Sequence, residues 1–515
     1  MPENLITYIR NKLQSEWKLA FCSAFIIGLL THMYVFTKRL PNHDGLINIY
    51  SSQAKVTSGR FFLSPASGIS SYFDLPWVIG LFSILFLALT AVGIIMIFEV
   101  RKRLSIILIS GIIVSFPSVS ATFSYMFTAD GYMLGTLFAT IAVLLTKKFK
   151  FGFLFGAIFL CLGVGIYQAN LSVALALLTI WLMRELLLKA PSTKLMGIYI
   201  LRSGLLVGIG MILYVIVYKI YTGLFEVQMT SYQGLDKVGR ISIHDIPFRL
   251  HDITEQIKTF FFRGIFYYQE VNLLEILNIG VFIIIFIWTI LLLIKRNIFK
   301  NFVHLILFLL LFISLPISYF VVYFVSPTTF YHMLMVFSIS TIYIYLVLLY
   351  DSVNVKGSLL IEKVTSWATV LLVTLTIYNF GLIANINYMN MELRYEKSIN
   401  FADRVLNRVE KLEEYDDIKK IAVIGKLSLH SELTSVTIPN QIPTMVGGTG
   451  EHFFNDVSHY QKVFSNFLGF SLDFPTSEEL DAIKLDETYK NMKPWPASES
   501  VRVFDDIVVI KLAEE

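Results

Sequence analysis

Residues 19–45 read LAFCSAFIIGLLTHMYVFTKRLPNHDG: an uncharged apolar run, Leu19–Phe36, ends at Lys38-Arg39 and opens into the polar stretch Asn42-His43-Asp44-Gly45. The run approaches the length needed to cross a bilayer as a helix. Arg10, Lys12 and Lys18 precede it, and no small-residue cleavage site follows, so it reads as a first span rather than a signal peptide. Basic residues flanking a span stay on the cytoplasmic side, which sends residues 38–77 to the far side of the membrane.

Working outward, the same pattern recurs. Of the 515 residues, 55% are hydrophobic and 16% charged, whereas a soluble domain carries about 25% charged residues. Apolar runs at about residues 78–98, 106–125, 132–145, 196–218, 276–294, 302–325, 333–349 and 366–386 alternate with short charged clusters. Residues 151–188 are too long for one span, and Tyr167-Gln168-Ala169-Asn170 divides them as a tight far-side turn. The expectation is a polytopic α-helical membrane protein of about eleven transmembrane helices, with Pro117 and Pro316 as candidate breaks. Its clusters Arg101-Lys102-Arg103, Lys147 to Lys150, Arg184 to Lys194, Lys295 to Lys300 and Lys356 to Lys363 then share the cytoplasmic face. The large loops 38–77 and 222–272 face the other way. Cys22 and Cys161 both lie in apolar runs, which excludes a disulfide framework or a CxxC site. The net charge of +4 carries no basic, aromatic-interleaved stripe, so no nucleic-acid partner is expected.

From Asn390 charges become frequent. The chain divides into a membrane domain, 1–389, and a soluble α/β domain, 390–515, on the same far side as the loops. Lys419–Gly425 and Val501–Leu512 read as strands, the second folding back at Asp505-Asp506. Gly447-Gly448-Thr449-Gly450 lacks the Lys-Ser/Thr of a phosphate-binding loop. Trp495, between Pro494 and Pro496, either stacks on a sugar or packs against a neighbouring domain.

Polar residues thus concentrate on one face. Asp44 is placed to act as a general base toward a hydroxyl, and Arg60 to hold a phosphate by paired hydrogen bonds. The structural alternative gives Asp44 to an Asx turn and Arg60 to headgroup anchoring. Asp130 is either a second carboxylate of the site or a helix N-cap. In the long loop, Ile246–Phe262 has the spacing of an amphipathic surface helix carrying Arg249. Arg240, Arg249 and His332 are further phosphate-binding candidates. His244-Asp245 and His251-Asp252 stand two turns apart, a poor spacing for one metal ion.

Asn42-His43-Asp44, Ser58-Gly59-Arg60, Phe73-Asp74-Leu75-Pro76-Trp77, Pro117, Asp130-Gly131-Tyr132 and Tyr167-Gln168-Ala169-Asn170, in this order, resemble the membrane glucosyltransferase family of serotype-converting O-antigen modifying enzymes. The resemblance covers about residues 15–350. It implies a GT-C-type fold in a bacterial inner membrane, with the N-terminus cytoplasmic and the C-terminal domain periplasmic. The implied reaction is inverting transfer of glucose from undecaprenyl-phosphate glucose to a lipid-linked O-antigen. Asp44 would be the base, with Asp130 the second catalytic candidate; Asn42, His43, Arg60, Tyr167, Gln168, Arg240, Arg249 and His332 are the candidates for binding substrate or phosphate. Membrane lipids, a flippase and a donor-synthesising glycosyltransferase are the implied partners. Family members often carry two acidic residues in the first loop; here Gly45 follows Asp44, so a two-carboxylate metal site is unsupported and no cofactor is expected. The alternative class, a transporter or flippase of lipid-linked saccharides, would place charges deep within spans. Asn278 and Asn379 lie within or near span ends, where hydrogen bonding inside the bundle accounts for them.

Overall fold

The computed structural model describes residues 4, 13–226, 230–231, 242–267, 270–326, 330–353, 359–425, 454 and 456–513. Arg10, Lys12, Arg240, Lys356 and Gly447–Gly450 lie outside the described residues.

The apolar runs form helices: α1 (Ser15–Thr37), α2 (His43–Ile47), α3 (Leu63–Ser67), α4 (Pro76–Phe98), α5 (Arg103–Ser115), α6 (Pro117–Phe123), α7 (Ala129–Lys148), α8 (Gly152–Ile166), α9 (Asn170–Lys189), α10 (Thr193–Leu224), α11 (Ile246–Phe261), α12 (Leu273–Lys295), α13 (Phe302–Tyr319), α14 (Ser340–Asp351) and α15 (Leu360–Val409). Among the described residues, nine helical segments are long and apolar enough to cross a membrane, joined by two shorter apolar ones, Gly152–Ile166 and Phe337–Asp351. The sequence reading counted those two as full spans. At 15 residues each they extend roughly 22 Å as α-helix, short of a hydrocarbon layer of about 30 Å.

Of the two prolines, Pro117 divides a span: Phe116 adopts φ −54°, ψ 138°, and Pro117 opens α6, as expected of a residue without an N–H and of the extended residue before it. Pro316 lies inside α13 without ending it.

Small residues bring helices together. A Cβ on Gly163 of α8 would stand 3.1 Å from the Gly135 carbonyl oxygen of α7, and Asn170 Nδ2 donates to the Gly163 carbonyl at 2.9 Å. The turn 167–170 is thereby held tight, as its sequence implied. His32 joins three helices, its Nδ1 lying 2.5 Å from the Tyr388 hydroxyl and its Nε2 2.7 Å from the Val114 carbonyl. Asn278 accepts from the Tyr343 hydroxyl at 2.7 Å, which is hydrogen bonding within the bundle, whereas Asn379 is buried with no hydrogen-bond partner for its side chain among the described residues.

Charges gather at one end. Lys147 and Lys189 reach Glu99 at 2.8 and 3.7 Å, while Lys102 Nζ donates to the carbonyls of Tyr350 and Val353. Residues 38–75, 167–170, 320–326 and 330–336 lie at the opposite end.

Asn390, where the composition changes, falls inside α15, a continuous 50-residue helix. Its last turns supply Phe401, Val405 and Leu406 to the core of the C-terminal domain, with α16 (Val457–Phe467) and α17 (Ser477–Leu485) packed around a small sheet. The strands are β1 (Lys420–Ile424), β2 (Val501–Phe504) and β3 (Ile507–Lys511), in the order β1-β3-β2. β1 pairs parallel to β3, with Ile421 opposite Val508, and β2 pairs antiparallel to β3, with Val503 opposite Val508. Every residue of β3 is buried, as befits a central strand covered on both faces. Trp495 packs within its own domain rather than against another: it is buried, with the Arg408 guanidinium 4.0 Å from its ring centroid and Phe401 edge-on at 5.5 Å.

Candidate active site

The first loop begins with α2. Asn42 caps it, its side-chain oxygen accepting the Gly45 N–H at 2.8 Å, so Asn42 is the Asx-type cap rather than Asp44. Asn48 Nδ2 donates to the Asp44 carbonyl at 2.8 Å, and Gln53 Nε2 donates to Asn48 Oδ1 at 3.1 Å. With the backbone and its neighbours so engaged, the Asp44 carboxylate is left 44% exposed. A Cβ at Gly45 would meet Pro41 Cβ at 2.9 Å, so a second acidic residue would have to displace the proline ring.

The second part of the loop presents Arg60. Lys55 and Arg60 form an antiparallel bridge around the short 3-10 turn Val56–Ser58. The turn closes at Gly59, whose φ of +75° suits glycine. Gln168 Nε2 donates to the Ser58 carbonyl at 2.6 Å, and the Tyr214 hydroxyl donates to the Gly59 carbonyl at 3.1 Å. Arg60 Nη1 donates to the Tyr132 hydroxyl at 2.9 Å, and its guanidinium carbon lies 4.8 Å from the Tyr167 ring centroid. Tyr132 and Tyr167 stack at 4.4 Å, 5° from parallel. Aromatic faces favour a cation placed over them, so the guanidinium is oriented before any substrate arrives. Headgroup anchoring does not describe this arrangement.

A cavity of about 540 Å³ opens between these parts. Asp44, Arg60, Tyr167, Gln168 and His332 all line it, together with Gln53, Lys55, Tyr132 and Lys219. Among the described lining residues Asp44 is the sole carboxylate, and it shares the wall with the cations Lys55, Arg60 and Lys219. Much of the remaining wall is apolar and includes Leu171, Met211, Val215, Val322 and Leu334, with Asn48, Thr128 and Ser326 among the polar exceptions. The lining therefore offers cations that suit a phosphate and apolar surface that suits a hydrocarbon chain.

The other candidates stand elsewhere. Asp130 is fully buried in the first turn of α7 and does not line the cavity. Its Oδ1 accepts the Gly131 N–H at 2.8 Å, the place of an acidic residue at a helix N-terminus, and the residue preceding α7 is Thr128. Asp44 and Asp130 thus do not face one space. His43 does not line the cavity, and its Nε2 lies 3.7 Å from Asp44 Oδ1. Arg249 sits on α11, 3.3 Å from Asp252 Oδ2, outside the cavity wall. The expected amphipathic helix is present, burying Ile253, Phe260 and Phe261. Among the described residues no three His, Cys, Asp or Glu side chains gather where they could hold a metal ion, the His244 and His251 region included.

Lys55, Lys219 and the Tyr132 hydroxyl were not foreseen. Lys219 did carry a signal, being a basic residue at the end of a span away from the other basic clusters. Tyr132 stands in the motif Asp130-Gly131-Tyr132, but its bond to Arg60 and its stacking on Tyr167 are properties of the packed helices.

Comparison with curated proteins and with solved structures finds no match. A family model described as glucosyl transferase GtrII matches residues 33–351. That segment contains the cavity lining from Asp44 to Met335 and stops before α15 and the C-terminal domain. With well over half of the 515 residues matched, and with a cationic, single-carboxylate cavity at one end of an apolar helical bundle, the chain belongs to the GtrII glucosyl transferase family.

Proposed function

We propose that the protein transfers glucose, with inversion, from undecaprenyl-phosphate glucose to a lipid-linked O-antigen repeat at the periplasmic face of a bacterial inner membrane. Asp44 takes the proton of the acceptor hydroxyl as the oxygen attacks the anomeric carbon. The bond from that carbon to the phosphate oxygen breaks, and the electron pair leaves with the phosphate. Arg60, Lys55 and Lys219 stabilise the charge gathering there, a contribution that grows toward the transition state because the cations are already in place. The apolar wall receives the first prenyl units of the donor.

The observation that carries this reading is the pairing, in one cavity, of a single carboxylate with three cations and an apolar flank. A base and a phosphate-binding group within one space are what transfer from a lipid phosphate requires. The test is transfer of radiolabelled glucose from undecaprenyl-phosphate glucose to lipid-linked O-antigen, in membranes holding wild type or Asp44→Asn at matched levels. Transfer by wild type that disappears in Asp44→Asn is expected. No transfer from that donor would discard glucose or the lipid-phosphate donor, and full activity in Asp44→Asn would remove Asp44 as the base.

A further inference from the structure

The helix that carries Asp44 has two faces. Asp44, Ile47 and Asn48, spaced three and four residues apart, line the cavity, as side chains on one side of a helix do. Leu46 lies on the other side, and His43, which touches the Asp44 carboxylate, does not line the cavity. Leu46 is fully buried within the C-terminal core, in the cluster that includes Phe401, Val405, Tyr460 and Val463. α16 of that domain packs directly against α2, and the His43 and His459 rings meet edge to face, with centroids 5.9 Å apart.

At five residues, α2 is far below the length of about 12–15 residues at which an isolated helix is even marginal in water. Its geometry therefore depends on what it packs against. His459 is itself held: its Nδ1 accepts the Asp456 N–H at 3.0 Å in the capping box that opens α16. Burial pushes the His459 imidazole below its ordinary range, His43 adds to this, and Asp456 and Asp44 oppose it. A neutral ring in this position buttresses His43 without competing for the charge of Asp44.

We propose that His459 is a positioning residue for Asp44, acting through His43, and that the C-terminal domain thereby completes an active site whose reacting groups all lie in the membrane domain. The inference rests on the reading of Asp44 as the base. It assigns a catalytic dependence to a part of the chain beyond the matched residues 33–351.

The test uses the full chain, purified in detergent at matched levels, with undecaprenyl-phosphate glucose and lipid-linked O-antigen as substrates. His459→Asn keeps a side-chain oxygen where Nδ1 accepts the Asp456 N–H, so the α16 cap is retained while the ring is removed. Its kcat is expected to fall about tenfold with KM for the donor within about twofold, because misplacement of a reacting group acts on the chemical step. His459→Phe returns a ring against His43 and is expected to restore kcat to within about threefold of wild type. The proposal is overturned if His459→Asn keeps wild-type kcat, if its loss falls on KM, or if His459→Phe is no faster than His459→Asn. Activity persisting in Asp44→Asn would strike the base assignment itself. An inactive Asp44→Asn beside a wild-type-like His459→Asn would strike the positioning claim alone.

Discussion

Removal of the Arg60 guanidinium separates a structural role from a chemical one. The structure gives Arg60 a hydrogen bond to Tyr132 at 2.9 Å and a place over Tyr167 at 4.8 Å. A net hydrogen bond contributes about 1 kcal/mol and a partly exposed cation over an aromatic ring about as much. Arg60→Ala should therefore lower stability by about 2 kcal/mol. If the same guanidinium stabilises the departing phosphate, the loss in rate is larger, roughly 100- to 1000-fold in kcat, or about 3–4 kcal/mol of barrier. Tyr132→Phe is the control: it removes the hydroxyl that aligns Arg60 and keeps both the cation and the ring stack. It should cost tenfold or less, the equivalent of about one hydrogen bond. Single-turnover transfer from undecaprenyl-phosphate glucose gives the chemical step, and thermal unfolding in detergent gives the stability. The reasoning fails if Arg60→Ala slows the chemical step by less than about tenfold, or by no more than Tyr132→Phe does.

Two further outcomes follow from the first loop. Gly59→Ala should lower the unfolding temperature, by a free energy of roughly 3 kcal/mol: the left-handed φ costs a side chain about 1–2 kcal/mol, and the two hydrogen bonds at risk contribute about 1 each. Those bonds are exposed because the new Cβ would stand 2.5 Å from the Tyr214 hydroxyl and 2.9 Å from Gln168 Nε2, and an unchanged unfolding temperature would refute the packing described. Burial raises the Asp74 carboxyl to about 6, against the pull of Arg39. The folded state then holds this proton more tightly than the unfolded chain, so the associated stability is complete below the ordinary carboxyl range and is lost as pH rises through about 6. Wild type should gain about 2 kcal/mol between pH 7.5 and 4.5, and Asp74→Asn should flatten that slope, as followed by unfolding in detergent across pH. An identical slope in the variant would show that other groups set it.

The linear signals that succeeded are local or periodic. Bilayer length and charge at span ends place the helices, because each span satisfies its own backbone and needs no partner to be recognised. Tyr167–Asn170 is legible as a turn from its polarity between two apolar runs, and Asp505-Asp506 as a hairpin between two strands. Arg60 stands out as a cation beside a membrane. The GtrII resemblance rests on the order of such short motifs, and the matched segment 33–351 contains them.

What the linear pattern leaves open is which of the polar residues at one end of the bundle meet. Asp44 and Asp130 are equivalent on residue type and on proximity to a span end. Packing separates them: α2 turns Asp44 into the cavity, while Asp130 is closed off at the start of α7. The composition change at Asn390 suggested a boundary, yet α15 passes through it without interruption, because a helix continues as long as its own backbone bonds and a packed face continue, whatever the solvent around it. Lys219 and His332 come from segments more than a hundred residues apart and reach one cavity. Sequence by itself determined the elements, their alternation and the family, since length, hydropathy and motif order are properties of neighbouring residues. The tertiary structure alone decided that Asp44 shares one cavity with Lys55, Arg60 and Lys219 and that its helix is backed by the C-terminal domain, since such neighbourhoods arise only when helices distant in the chain are packed side by side.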